Sequence, residues 1–297
     1  MTYLITGASG FVGRALAEHL LRRGDSIHYL GRKRSQALPK GAIFHSWAPG
    51  EVPQLQDIGQ VDGVFHLAGE PVAQRWTEEV KKRIYSSRVE GTRNLVNALR
   101  QLEHRPSVFV SASAVGYYGD RGSEALTEAQ VPGEDFLAEV CKAWEQEAFR
   151  AHDLGMRVVP IRIATVLGRK GGALKQMLPP FRLGIGGRFG NGKQWMSWIH
   201  LVDLVRLLLF AADSTTLEEP LNGSSPQPVT NTQFTKALAD ALHRPALIPV
   251  PKFAMKVLLG EMADFLFKSQ RVIPQAAERA GFAFQYSSIE EALQSLV

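Results

Sequence analysis

Ten residues, Ser111–Asp120, read SASAVGYYGD and follow directly on the apolar run SVFV. Serine and tyrosine hydroxyls at the end of a hydrophobic run can polarise a carbonyl oxygen or hand it a proton. Ser113, Tyr117 and Tyr118 are therefore candidate catalytic groups, although the same stretch also suits a strand end packed against a neighbouring lobe. A second stretch, TGASGFVGRAL, sets Gly7, Gly10 and Gly13 in a G-x-x-G-x-x-G pattern between an apolar run and a helical one. Glycines there let the backbone turn tightly and approach a pyrophosphate, whose charge sits on the free amides of Ser9, Phe11 and Val12 at the helix start.

Those groups need elements to hold them. The runs TYLIT, SIHYLG, AIFHSW, GVFHLAG, SVFVSAS and RVVPIRIA read as strands, and FVGRALAEHLLRR, TEEVKKRIYSSRVEGTRNLVNALR and EDFLAEVCKAWEQEAFRAH as helices between them. Alternation of this kind predicts an α/β fold with parallel strands joined by right-handed crossovers, a Rossmann-type doubly wound sheet. Val80, Ile84, Gly91, Leu95 and Leu99 recur near helical spacing, a stripe that serves the core or a subunit contact and leaves room for a homodimer. After Leu167 the chain turns glycine-rich, returns to strand and helix at SWIHLVDLVRLLLFAAD, and ends mostly helical. The expected division is a nucleotide-binding domain at 1–165 and 197–225, with a smaller C-terminal substrate lobe at 166–196 and 226–297.

The second strand should end beside the adenosine ribose, and Gly31 is followed there by Arg32, Lys33 and Arg34. An acidic residue would hold a 2′-hydroxyl, whereas cations match a 2′-phosphate, so NADP(H) is the expected cofactor, with Arg32 and Lys33 as its phosphate ligands. The fourth strand ends HLAGEPV, which passes Leu67, Ala68 and Gly69 under the cofactor and turns Glu70 and Arg75 toward the cleft.

Composition narrows the function classes. The net charge is +5, but the cations are scattered, with RKR at 32–34 and KKR at 81–83 the densest clusters. That argues for a small phosphate-bearing ligand and against nucleic acid, which calls for a basic stripe and a reading module. No apolar run reaches the roughly 20 residues of a membrane span, and the N-terminus passes at once into strand and glycine turn, so a cytoplasmic protein is expected. Cys141 is the single cysteine and has no metal-ligand companions; no metal site is expected. The segment GRFGNGK imitates a phosphate-binding loop, but Gln194 follows where a hydroxyl for magnesium belongs.

Taken together, TGASGFVG, HLAGEPVAQRW, SSRVEGT, SASAVGYYGD, DFLAEVCKAWE, RIATVLGRKGGALKQMLPPFRLGIGG, GNGKQWMSWIHLVDLV and AGFAFQY resemble an atypical extended short-chain dehydrogenase/reductase of the "epimerase family protein" (SulA-like) subgroup, nearly end to end. The resemblance implies an NADP(H) domain with Ser111, Ala112 and Arg88 at the cofactor and Met177, Trp195 and Trp198 toward a small-molecule substrate. It also implies Ser113 on the substrate oxygen and Lys142 in the place of the family's lysine. Four residues before that lysine the family carries its acid/base tyrosine; here Ala138 stands, and Tyr117 or Tyr118 would have to supply the proton. Met196 occupies the place where nucleotide-sugar enzymes of the family carry an arginine. A reductase or epimerase is the reading that follows, with a non-catalytic NADP(H)-binding redox sensor as its rival.

Overall fold

The computed structural model describes residues 1–297. In chain order the elements that position the site are β1 (Thr2–Thr6), α1 (Phe11–Arg23), β2 (Ser26–Gly31), β3 (Ile43–Ser46), β4 (Gly63–His66), α2 (Glu78–Arg100), β5 (Val108–Ala114), α3 (Phe136–Phe149) and β6 (Arg157–Ile163). They are followed by α4 (Gly172–Arg182), α5 (Leu201–Asp213), β7 (Leu221–Gly223), α6 (Asn231–Leu242) and α7 (Lys252–Leu259). Helix starts follow local chemistry. Thr77 accepts the Val80 amide ahead of α2, and Asp135 accepts the Leu137 and Ala138 amides ahead of α3, each satisfying donors that a first turn leaves unpaired. Gly24, at φ +90°, closes α1 in the left-handed conformation.

The seven strands form one sheet in the order β7-β6-β5-β4-β1-β2-β3, all neighbours parallel. The chain winds outward from β1 to β3, then crosses back and winds outward from β4, so the carboxyl ends of β1 and β4 flank a crevice. Ligands of doubly wound sheets lie in that crevice. Two apolar cores cover the faces. On one, α1 and α5 pack Leu16, Leu20, Leu204 and Leu208 against Ile5, Val110 and Ile161; on the other, α2 and the segment after α3 pack Leu95, Leu99 and Leu154 against Leu4, Val64 and Phe109. Each fully buried leucine contributes about 2 kcal/mol of transfer free energy.

A third core holds the C-terminal lobe together, built from Leu174, Leu178 and Phe181 of α4, Phe234 and Leu238 of α6, and Ile289 and Leu293 of the final helix. Part of the C-terminal stretch packs elsewhere. Ala276, Ala277 and Phe282 leave the lobe and join the main core beside α5, drawn there by their apolar side chains. No helix is long and apolar enough to cross a membrane.

Candidate cofactor site and catalytic corner

Gly7, Ser9 and Gly10 line an open cavity of about 430 Å³ at the carboxyl ends of β1 and β4, together with Arg32, Leu67, Ala68, Gly69 and Glu70. The glycines are needed by geometry. Gly7 has φ +71°, and a Cβ there would stand 2.7 Å from the Leu67 carbonyl carbon; at Gly13 a Cβ would overlap the Gly7 carbonyl. Gly10, at the cavity, caps α1 without a side-chain bond, so the amides of Phe11, Val12 and Gly13 in the first turn are left unsatisfied by protein. Val12 packs on the main core, and the Phe11 ring lies against Gly168, Gly171 and Gly172, so these two offer backbone rather than side chain to a ligand. Trp47, Pro49 and Gly50 close one end of the cavity and Arg83, Ser86, Ser87 and Glu90 of α2 form the other wall. Lys33 is exposed and lies outside this lining.

Beneath the cavity runs a directional chain of hydrogen bonds. The Ala68 amide donates to Thr6 Oγ1 at 3.1 Å, Thr6 lies 2.7 Å from His66 Nδ1, and His66 Nε2 lies 2.8 Å from Thr92 Oγ1, which donates to the Arg88 carbonyl. With a proton on Nε2 only, every donor meets an acceptor, so the neutral imidazole fits and the imidazolium does not. Burial accordingly pushes the His66 pKa down to about 3, and the Arg88 cation adds to the effect. The unfolded chain therefore binds a proton between about pH 6.5 and 3 that the folded chain refuses. Stability should fall as pH drops through that window, by up to about 1.4 kcal/mol per pH unit from this residue. His19, His28, His45 and His200 shift the same way, so urea titrations of a His66→Gln variant separate its share. An unchanged pH slope in that variant would contradict the assignment.

Arg88 does not reach the cavity wall. Its guanidinium lies under Gly69, where a Cβ would come within 2.9 Å of the guanidinium carbon, and it donates to the Glu70 carbonyl at 3.0 Å while lying over the Trp144 ring. Burial lowers its pKa, and no carboxylate pairs with it.

At the end of β5 the structure departs from the sequence expectation. Ser113 is buried and donates its proton to Glu145 Oε1 at 2.6 Å. Glu145 is held in turn by two parallel bonds from Arg162, Nε to Oε1 and Nη2 to Oε2, each 2.9 Å. A hydroxyl has one proton, and that of Ser113 is committed to a carboxylate instead of a substrate. Tyr118 is fully buried; its hydroxyl donates to Asn222 at 2.7 Å and accepts from Arg162 at 3.0 Å, and burial raises its pKa. It is thus a structural tyrosine with no open side. Tyr117 is half-buried, its ring stacked on the Arg162 guanidinium 3.5 Å from the centroid. Ser111 donates to the Ala112 carbonyl and, like Ala112, is buried in the sheet, so neither side chain reaches the cavity.

Lys142 is exposed and makes no ion pair. The face of α3 turned toward β5 carries Leu137, Cys141 and Glu145. One residue on an α-helix is about 100° of rotation, enough to carry Lys142 off that face. Burial, with the nearby Glu145 charge, pushes the Cys141 thiol up to about 12, so it is a packed thiol and not a nucleophile.

Of the residues expected at a substrate, Glu70 lines the cavity and takes a bond from Gln74 at 3.1 Å. Arg75 points elsewhere: Nη1 donates to the Val257 carbonyl at 2.8 Å and ties down α7. Trp198 is fully buried in the lobe core, where its indole donates to the Gln227 carbonyl, and Met177 packs on the same core. Trp195 lies under the Arg271 guanidinium and borders a separate cleft with Asn191, Lys193 and Lys252. Aromatic and thioether side chains gain more from packing in a core than from lining an open cleft, which accounts for the places of Trp198 and Met177. Sequence reasoning missed Trp47, Thr6, His66, Thr92, Glu145, Arg162 and Asn222. The available signal was polarity out of pattern: a histidine ending GVFH, an arginine inside VVPIRI, and a glutamate on the apolar side of α3.

The crevice, the glycine turn and the basic residue after the second strand define a dinucleotide-binding protein of the doubly wound class. The family described as "NAD dependent epimerase/dehydratase" matches residues 3–222, and a domain of unknown function, DUF1731, matches 250–296. The chain belongs to the NAD-dependent epimerase/dehydratase family, as an atypical extended short-chain dehydrogenase/reductase. It is 39% identical over 302 aligned residues to the chloroplastic SDR39U1 homolog of Arabidopsis thaliana, covering all of this chain and 87% of that one. To the epimerase family protein YfhF of Bacillus subtilis it is 36% identical, covering 100% and 98%. The crystal structure of human SDR39U1 isoform 2 with NADPH superimposes with a TM-score of 0.88 at 30% identity, over 100% of this chain and 99% of that chain.

Proposed function

We propose that the protein is an NADPH-dependent reductase of a small carbonyl compound. The observation that carries the reading is the shared cavity: the glycine turn, the open helix start and Arg32 line one space at the sheet's switch point. The free amides of Phe11, Val12 and Gly13 would hold the pyrophosphate of NADPH, and Arg32 its 2′-phosphate, which a guanidinium can bind by two parallel hydrogen bonds. Lys33 adds charge from outside, and Arg88, an uncompensated cation under Gly69, adds positive potential below. The relative solved with NADPH supports the same cofactor. Bound NADPH would supply the hydride to the carbonyl carbon, and Tyr117, the one candidate hydroxyl that the folded chain does not enclose, would give the resulting alkoxide its proton.

The sensor reading rests on a specific observation, the commitment of Ser113 to Glu145 and the exposure of Lys142, which strip the site of two expected groups. One experiment tests the cofactor that both readings share, and a second separates the readings. Fluorescence titration should give at least about tenfold tighter binding of NADPH than of NADH, about 1.4 kcal/mol, and Arg32→Ala should erase most of the difference. Equal affinities in the parent protein would refute the cofactor assignment. Loss of absorbance at the nicotinamide band with a panel of aldehydes, ketones and quinones then tests turnover; silence across the panel with intact NADPH binding favours the sensor.

A further inference from the structure

Two segments distant in sequence run side by side along the C-terminal lobe. Val250 bridges Phe189 and bonds the Arg188 carbonyl, Arg244 Nε reaches the Arg182 carbonyl, and Pro245 lies over Gly184. Their apolar side chains face outward: Leu183 is 74% exposed, Ile185 58%, Leu247 82% and Ile248 59%. Directly after Val250 comes α7, which buries no residue and exposes Phe253, Val257 and Leu258 at 66–73%. Seven of the large apolar side chains that the molecule leaves exposed thus come from these two adjoining segments and the helix that directly follows them. A patch of this kind marks an interaction surface.

The charge around the face decides its occupant. Residues 182–193 and 241–260 contain Arg182, Arg188, Lys193, Arg244, Lys252 and Lys256 and no aspartate or glutamate. Lys252 and Lys256 share Asp264 from the next helix, while Arg182, Arg188, Lys193 and Arg244 have no acidic partner. A two-fold contact with a second copy would set this basic rim against itself. A negatively charged occupant removes the conflict, and side chains that protrude singly are best accommodated by a medium that deforms around each of them. Phenylalanine, leucine and valine flanked by lysine and arginine are the composition of surfaces that lie in a bilayer interface.

We propose that this face seats on an anionic lipid bilayer, with Phe253, Val257 and Leu258 of α7 inserted among the acyl chains and Arg182, Arg188 and Arg244 on the headgroups. The sequence expectation that excluded membranes concerned spanning segments, and none is needed here. The proposal is independent of the redox reading.

Co-sedimentation with vesicles tests it. The intact protein should pellet with phosphatidylglycerol/phosphatidylcholine vesicles, should stay in solution with phosphatidylcholine alone, and should be released by high salt. Arg244→Glu should weaken the partition about tenfold, and Phe253→Ser/Leu258→Ser should abolish it, both with unchanged thermal unfolding. No binding to anionic vesicles overturns the proposal, as does equal binding by the double variant. If light scattering instead shows a dimer that the double variant dissociates, the face belongs to a second copy and the lipid assignment is wrong.

Discussion

Glu145→Gln should cost about 3–5 kcal/mol of unfolding free energy in urea, the largest stability loss expected of any single substitution near the site. Glutamine nearly keeps the shape but strips the charge that holds Arg162, whose side chain is 4% exposed. Burial works against that guanidinium, and the two bonds from Glu145 restore and exceed what burial removes. Left with a neutral partner, the cation stays out of water without compensation, and its contacts to Tyr118 and the Glu128 carbonyl cannot replace a carboxylate. Removing both charges is a different experiment. Glu145→Leu/Arg162→Met should lose far less than the sum of the single variants, because most of each single cost is the orphaned partner. A Glu145→Gln loss below about 1 kcal/mol would show that water reaches the pair and that the corner is not rigid.

Tyr117→Phe should lower kcat by about 10² to 10⁴ once a carbonyl substrate is in hand, with NADPH affinity nearly unchanged. Burial raises the phenol's pKa and the Arg162 cation under its ring opposes that rise, so the group holds its proton at neutral pH and gives it only to a stronger base such as an alkoxide. Tyr118→Phe is the matched control. Its hydroxyl bridges Arg162 and Asn222 inside the protein, so its loss should register in stability, at about 1–3 kcal/mol, and not as a selective drop in kcat. Parental turnover by Tyr117→Phe would remove the acid from this loop altogether.

The strands and helices of the nucleotide-binding part were legible because period and punctuation agree there. SIHYLG and FVGRALAEHLLRR fall on β2 and α1 residue for residue, and TYLIT, GVFHLAG and SVFVSAS each fall on a strand to within a few residues. The glycine turn was legible because each glycine answers a backbone demand that no other residue meets. The catalytic corner was not. Hydroxyl-rich SASAVGYYGD announces chemistry, but which hydroxyl is free depends on Glu145, in a helix 32 positions beyond Ser113, and on Arg162, in a strand 17 positions beyond Glu145. Lys142 shows the same limit on a smaller scale: the spacing of a motif says which residue types occur, and a single step of register around α3 decides whether they face the site. Trp198 and Met177 were expected toward a substrate because sequence cannot tell a pocket wall from a core.

Phe11 acts as a peg in a socket. Its ring fills the gap above Gly168, Gly171 and Gly172, so tightly that a methyl group on any of the three would collide with it. One side of the socket leads into α4 and the core of the C-terminal lobe, while the peg is the first residue of the helix whose open end faces the cavity. The start of α4 therefore cannot slide past α1 at this point without dragging the glycine turn, and a shift of α4 is mechanically a shift of the turn that lines the cavity.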